Sequence, residues 1–281
     1  MPRKAAPDIA TVLREAAGQL AAISDTARLD AELLMAHALG VSRTELLLRH
    51  LHFGPPAHFT SILERRIAHE PVAYILGSQP FYGLELEVTP AVLIPRGDSE
   101  TLIEAARVAR SQRPPQRILD LGTGSGALLL AALTLWPEAR GIGLERSPAA
   151  REVAARNAAR LGLAERATIT GGDWTVAGWH ERLGQFDLIL ANPPYVEEAA
   201  ELAPSVRVHE PAEALFAGAE GLDDYRLLIS HIPALLPPGG TAIFEIGATQ
   251  AGPVMALAEA AGFTVQVHVD LAGRPRAVEM A

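Results

Sequence analysis

The chain has 281 residues, 49% of them hydrophobic and only 5% aromatic, and a formal net charge of −9 from Lys+Arg 24 against Asp+Glu 33. That length fits one large domain, or a small domain beside a medium one, with a core filled mainly by aliphatic side chains. Cysteine is absent, which excludes disulfides, thiolate metal ligands and cysteine nucleophiles, and the acidic balance argues against a partner gripped through its phosphates, nucleic acid above all.

The opening Met1-Pro2-Arg3-Lys4 is basic but has no long apolar run behind it, so no secretory signal is expected. No stretch reaches the roughly 18 to 20 uncharged apolar residues of a membrane helix. The cytoplasm is the expected compartment, with no membrane partner. Residues 9 to about 70 read as helical: apolar residues recur at helical spacing in Ile9-Val12-Leu13-Ala16-Leu20 and in Leu29-Leu33-Leu34-Leu39. Ser24 and Asp25 stand where a second helix would be capped, and Gly40 where it would end. After Gly54-Pro55-Pro56, Phe59 to His69 reads as another helix. Acidic and basic residues balance through Gln79, so the excess acid lies beyond it.

Residues 71–95 change character. Tyr74-Ile75-Leu76, Phe81-Tyr82 and Leu84 to Val88 read as short strands turned by Gly77 and Gly83, a β-hairpin linker, with an irregular linker as the plainer reading. From 97 onward a helix leads into alternating strands and helices. The candidate strands are Arg117–Leu121, Gly141–Glu145, Ala167–Gly171, Phe186–Ala191, Thr241–Ile246 and Phe263–Val269. Such alternation predicts a mainly parallel sheet covered by helices on both faces. Glu197 to Pro211 is polar, broken by Pro204, and reads as a long surface loop of the kind that often carries function.

The first βα junction holds Gly122-Thr123-Gly124-Ser125-Gly126. Glycines let the backbone turn sharply and let a ligand approach closely, and the following helix offers free N–H groups. Gly122, Gly124 and Ala127 also satisfy a dinucleotide pattern, so the turn alone serves a nicotinamide nucleotide as well as S-adenosylmethionine, or is merely a tight turn. Glu145 ends the second strand, where a carboxylate accepts bonds from ribose hydroxyls; a solvated strand-end acid is the plainer reading. Asp173 and Trp174 follow the third strand and suit an adenine, the acid at its amino group and the indole beside its face, although Trp174 would serve equally as core.

The fourth strand delivers Asn192-Pro193-Pro194-Tyr195 to the same edge. Two prolines fix the local dihedrals and leave carbonyls without turn partners. That rigidity suits transfer of a methyl group to a planar NH₂ group, whose delocalised lone pair must be held in line at about 3 to 3.5 Å. On this reading the Asn192 side-chain oxygen and the Pro193 carbonyl accept hydrogen bonds from the NH₂ group, and Tyr195 stacks on its plane, so that Asn192 and Tyr195 are catalytic and 192–195 bind substrate. A proline-rich turn closing a strand is the alternative.

These stretches resemble the HemK/PrmC family of glutamine amide-nitrogen methyltransferases. Those that carry the resemblance are Glu70 to Gly77, Leu93-Ile94-Pro95-Arg96, Asp98-Ser99-Glu100, the turn at 120–126, Gly172-Asp173-Trp174, Asn192 to Tyr195, Glu210-Pro211 and Asp270 to Arg274. The likeness is strong over residues 70 to 280 and weak before them. It implies an α/β fold with a seven-stranded, Rossmann-like class I methyltransferase sheet and S-adenosylmethionine as cofactor, bound by Gly122 to Gly126, Glu145, Trp174 and Asn192. It implies a release factor as protein partner, its Gly-Gly-Gln glutamine gripped by 192–195 and its bulk docked on the helical N-terminal domain. The expected division is 1–70 helical domain, 71–95 hairpin linker and 96–281 methyltransferase domain, acting as a monomer without direct nucleic-acid contact or a metal. Gly97, Glu145 and the ending from Pro275 depart from the family's usual residues. The rival readings are an adenine-N6 DNA methyltransferase, which the same tetrapeptide would suit, a nicotinamide-dependent oxidoreductase, and an idle binding module on the same fold.

Overall fold

A computed structural model describes residues 7–281 of the chain, and the opening basic run lies outside them. Two compact units result, one of Met1–Ser78 with Leu202–His209, the other of Gln79–Glu201 with Glu210–Ala281. No helix among the described residues is long and apolar enough to cross a membrane.

The first unit is helical. Helix α1 (Ile9–Leu20) is capped by Asp8, whose carboxylate accepts from the Thr11 N–H at 2.9 Å. Helix α2 (Ala27–Leu39) ends on a left-handed Gly40, as its sequence predicts. Its start differs: neither Ser24 nor Asp25 caps it. Thr26 is the N-cap residue, and the Ser24 hydroxyl instead donates to Asp30 at 2.9 Å. Asp30 is thereby fixed opposite the buried Arg66, at 2.9 Å. A short turn, α3 (Arg43–Glu45), runs on into a wide helical turn (Leu46–His50), and α4 (Phe59–Ile67) follows. Residues 74–76, expected as strand, lie instead in helix α5 (Val72–Leu76). Ile75 packs into the helical core with Leu34, Met35 and Leu63, and that contact decides between two periods a five-residue run cannot tell apart.

Strands β1 (Ser78–Phe81) and β2 (Leu84–Glu87) form the hairpin. Helix α6 (Glu100–Ala109) then leads to the sheet: β3 (Arg117–Leu121), β4 (Arg140–Glu145), β5 (Ala167–Gly171), β6 (Leu188–Ala191), β7 (Thr241–Glu245), β8 (Val265–Val269) and β9 (Pro275–Met280). Their order is β5-β4-β3-β6-β7-β9-β8, parallel except for β9, which runs antiparallel to both neighbours. This is the seven-stranded sheet expected. The atypical ending does form its strand: Pro275 occupies the first position, where no ladder N–H is needed, and Met280 is fully buried.

Helices α7 (Ala127–Leu135), α8 (Pro148–Arg160), α10 (Asp223–Leu235) and α11 (Ala251–Ala260) complete the second unit. Alternate strand residues go to opposite faces. Ile118, Leu188, Leu190 and Ile243 pack with α6 and α7; Leu119, Leu121, Ile189 and Phe244 pack with α10 and α11. Both faces are buried, as a parallel sheet requires. The stretch expected as a bare surface loop, Glu197 to Pro211, carries a helix, α9 (Pro204–His209). Pro204 starts it rather than breaking it, because a first helical residue has no N–H to spend.

Register places the site. Leu121 lies opposite both Leu144 and Ala191, and Ala191 opposite Phe244. The residues that come after β3, β4, β6 and β7 therefore emerge along one edge of the sheet.

Candidate active site

At that edge lies a cavity of about 340 Å³, within the range of roughly 300–1,000 Å³ usual for small-molecule sites. Gly122, Thr123, Gly124, Ser125, Glu145, Trp174, Asn192 and Pro194 all line it. Eight of the residues singled out from sequence, scattered over four βα junctions, thus line one cavity.

The glycine turn is held from beneath. Asp120 is 1% exposed; one of its carboxylate oxygens accepts from the Thr123 hydroxyl at 2.6 Å and the Leu129 N–H at 3.2 Å. Its other oxygen has no partner, and burial pushes the carboxyl up to about 7. The turn requires glycine for space as well as for dihedral: Gly122 has φ +73°, and a Cβ there would lie 3.0 Å from the Trp174 ring. Glu145 spans the turn. One oxygen accepts from the Gly124 N–H at 3.0 Å and the other from the Ser147 N–H at 2.9 Å. Gly126 opens α7 at φ +87° and is not part of the cavity wall.

Trp174 lies against the turn, its indole N–H donating to Asp224 at 2.6 Å. Asp224 lines the cavity, and burial raises its carboxyl. Asp173, the acid expected here, does not line it. Its carboxylate is turned to the Thr175 N–H and hydroxyl, at 2.8 and 2.7 Å, and those bonds lower its pKa. The acid beside the tryptophan is therefore Asp224, fifty residues farther along.

Asn192 comes directly after β6 and faces the cavity, and among the described residues none hydrogen-bonds its side chain. Pro193 and Pro194 are buried, and only Pro194 reaches the cavity wall. Tyr195 does not stand over the cavity as expected. Its ring packs against the α10–α11 face of the core, and its hydroxyl donates to Glu245 at 3.2 Å. The reason is packing: the α10–α11 side of the core takes up the ring, and the buried Glu245 carboxylate accepts its hydroxyl. Burial pushes the Tyr195 hydroxyl up and the fully buried Glu245 up to about 7.

The cavity is lined as well by Val92, Leu93 and Pro95 with Pro211 and Phe216. Glu210 ties these two stretches together: it accepts from the Ile94 N–H at 3.1 Å and pairs with Arg96. Glu100 accepts from the Tyr82 N–H at 2.8 Å and so anchors the hairpin turn. The Ile-Pro-Arg and Glu-Pro motifs were visible in the sequence, but not that one holds the other. The fit to an adenosyl group rests on the glycine turn, where Gly122 leaves no room for a Cβ beside Trp174, on the acid at the end of β4 that spans the turn, and on the indole against the turn.

The family model described as PrmC N-terminal domain matches residues 11–77, and that described as Methyltransferase domain matches residues 113–247. A release factor glutamine methyltransferase of Cereibacter sphaeroides is 45% identical over 276 residues, covering 96% of this chain and 96% of that protein. One of Rhodospirillum rubrum is 43% identical over 255 residues, covering 89% of this chain and 77% of its own length. The crystal structure of a methyltransferase from Pyrococcus furiosus matches at 16% identity with a TM-score of 0.51, over 79% of this chain and 98% of that one, a likeness of fold.

Proposed function

From the premise that this chain belongs to the release factor glutamine methyltransferase family, we propose that its cavity transfers a methyl group from S-adenosylmethionine to the side-chain amide nitrogen of a release factor glutamine. The observation that carries the site assignment is Asn192: a side-chain amide with no hydrogen-bond partner among the described residues, on a proline-fixed turn, facing the cavity that the glycine turn and Trp174 share.

S-adenosylmethionine supplies an electrophilic methyl on a positively charged sulfur. Gly122 to Ser125 and Glu145 would hold its sugar and amino-acid portions, and Trp174 with Asp224 would hold its base. Asn192 accepts a hydrogen bond from the substrate NH₂ through its side-chain oxygen, and the Pro193 carbonyl accepts the other. Two acceptors on one NH₂ fix the plane of the amide and favour the positive charge that grows on nitrogen. Pro193 and Pro194 keep the acceptors from relaxing, so the entropy of alignment is spent in folding rather than at each turnover. The nitrogen that gains a carbon bond becomes acidic, and its proton passes to water without a dedicated base. The glutamine is that of a Gly-Gly-Gln loop, and the helical N-terminal domain of residues 1–70 docks the rest of the factor. The enzyme acts as a monomer in the cytoplasm, without direct nucleic-acid contact, in keeping with a net charge of −9.

Incubation with labelled cofactor and a purified release factor tests this. Label enters the native factor and not its loop Gln→Ala variant. Equal labelling of both, or tight binding of plain duplex DNA with methylation of its adenines, would overturn it in favour of the base-modifying alternative.

A further inference from the structure

Gln250 lies outside the cavity, just before α11, and is 8% exposed. Its side chain makes three hydrogen bonds: the amide NH₂ donates to the Tyr195 carbonyl at 3.0 Å and the Gly221 carbonyl at 3.1 Å, and its oxygen accepts from the Gly247 N–H at 3.0 Å. The amide can face only one way, since two carbonyls demand donors and one N–H demands an acceptor. One buried side chain thus joins the chain after β6, the turn before α10 and the turn after β7. The junction is tight. Gly221 has φ +67°, and a Cβ on it would lie 2.2 Å from the Tyr195 carbonyl oxygen and 2.8 Å from the Gln250 amide nitrogen. Just beyond Tyr195, the Val196 N–H donates to the Leu215 carbonyl at 2.8 Å and the Ala217 N–H to the Val196 carbonyl at 2.9 Å. Those bonds join the exit of the turn to Phe216, Ala217 and Gly218 in the cavity wall.

We propose that Gln250 is the positioning residue of the Asn192–Tyr195 turn, fixing the Tyr195 carbonyl so that Asn192 and the Pro193 carbonyl keep their place at the cavity. The proposal deepens, and rests on, the reading of that turn as the grip on the substrate amide. Tyr195 is then a strut held at both ends, at its hydroxyl by Glu245 and at its carbonyl by Gln250, and touches no substrate. Without the Gln250 donor the partly buried Tyr195 carbonyl loses its partner, and the turn shifts to find another. A displacement of about 1 Å at a positioning group can cost about a hundredfold in rate. The cofactor cradle at Gly122–Ser125 shares none of these bonds.

The test uses the full-length protein and two variants. Gln250→Met keeps the volume and loses both donors; Gly221→Ala strains the same junction from the other side. For each, thermal melting first establishes the folded fraction. Then kcat with release factor, the Kd for S-adenosylhomocysteine, and hydrogen exchange at the Val196 and Ala217 amides are compared with the parent. The proposal expects kcat to fall about a hundredfold, cofactor affinity to stay within about threefold, roughly 0.7 kcal/mol, and both amides to exchange faster. A folded Gln250→Met protein with parental kcat overturns it, as does a loss of cofactor affinity equal to the loss in kcat. Should the parent itself leave release factor unmethylated, the functional reading fails separately. Exchange then decides the positioning role alone: faster at the two amides upholds it, unchanged overturns it.

Discussion

Asn192 directly follows a strand paired on both sides, and among the described residues none hydrogen-bonds its side chain. Its removal therefore leaves stability and the cofactor cradle nearly untouched. Asn192→Ala is expected to lower kcat by at least about a hundredfold, with cofactor Kd moving less than about tenfold, roughly 1.4 kcal/mol. Steady-state kinetics beside calorimetric titration checks the split, and equal losses in both would contradict the role. Glu145 behaves in the opposite sense. It holds the Gly124 and Ser147 amides, so Glu145→Ala loosens the turn and, on the proposed reading, removes a ribose acceptor as well. Cofactor Kd should rise first and most; a dissociation constant that does not move removes Glu145 from the site. That Asn192 and Glu145 line the cavity was legible because each stands next to a strong local signal, a double proline and a strand end. Asp224 and Gln250 were not. Their partners lie 50 and 55 residues away in sequence, and neither sits in a pattern that periodicity can flag. Asp173 was chosen because it neighbours Trp174, but an Asp two residues before a Thr is equally set to close its own local turn.

Among the elements, the β3–turn–α7 junction is the most constrained. Gly122 combines a left-handed backbone with a tryptophan ring where its Cβ would go. Gly122→Ala should cost about 1–2 kcal/mol from the backbone alone, and displacement of Trp174 should weaken cofactor binding as well. Chemical denaturation and cofactor titration on the same variant check both, and a stable variant of parental affinity would show that the turn tolerates a side chain. The strands and this turn were readable in advance because two-residue alternation and glycine spacing are local properties. The helix at 72–76 was not, since an apolar run that short suits either period and only packing against α2 and α4 decides it. The helix at 204–209 was missed for the complementary reason: a proline within a polar run looks like a break unless a helix is known to begin there.

At the scale of the whole molecule, the sheet unit buries two carboxyls with incomplete pairing, Asp120 and Glu245, each pushed up to about 7 by burial. Unfolded, both release their protons near 4. Between those values the folded state holds protons that the unfolded state has lost, so stability falls as pH rises from about 4 to about 7 and levels above it. Glu245→Gln should flatten part of that fall, read as the difference in melting temperature between about pH 5 and pH 8. A variant with the parent's full pH dependence would show that Glu245 ionises freely in the folded protein. The sheet edge works as a site for a related reason: the strands end together, so register rather than loop conformation places the residues just beyond them.

Gly122, Glu145, Trp174 and Asn192 line one cavity, and the proposed arrangement rests the donor on the glycine turn with Asn192 presented to it. A crystal structure with S-adenosylhomocysteine bound tests that arrangement most directly. The prediction is a nucleoside between Gly122 and Trp174, ribose hydroxyls on Glu145, and the sulfur toward Asn192. A ligand bound elsewhere, or an Asn192 side chain turned away from the sulfur, would contradict it.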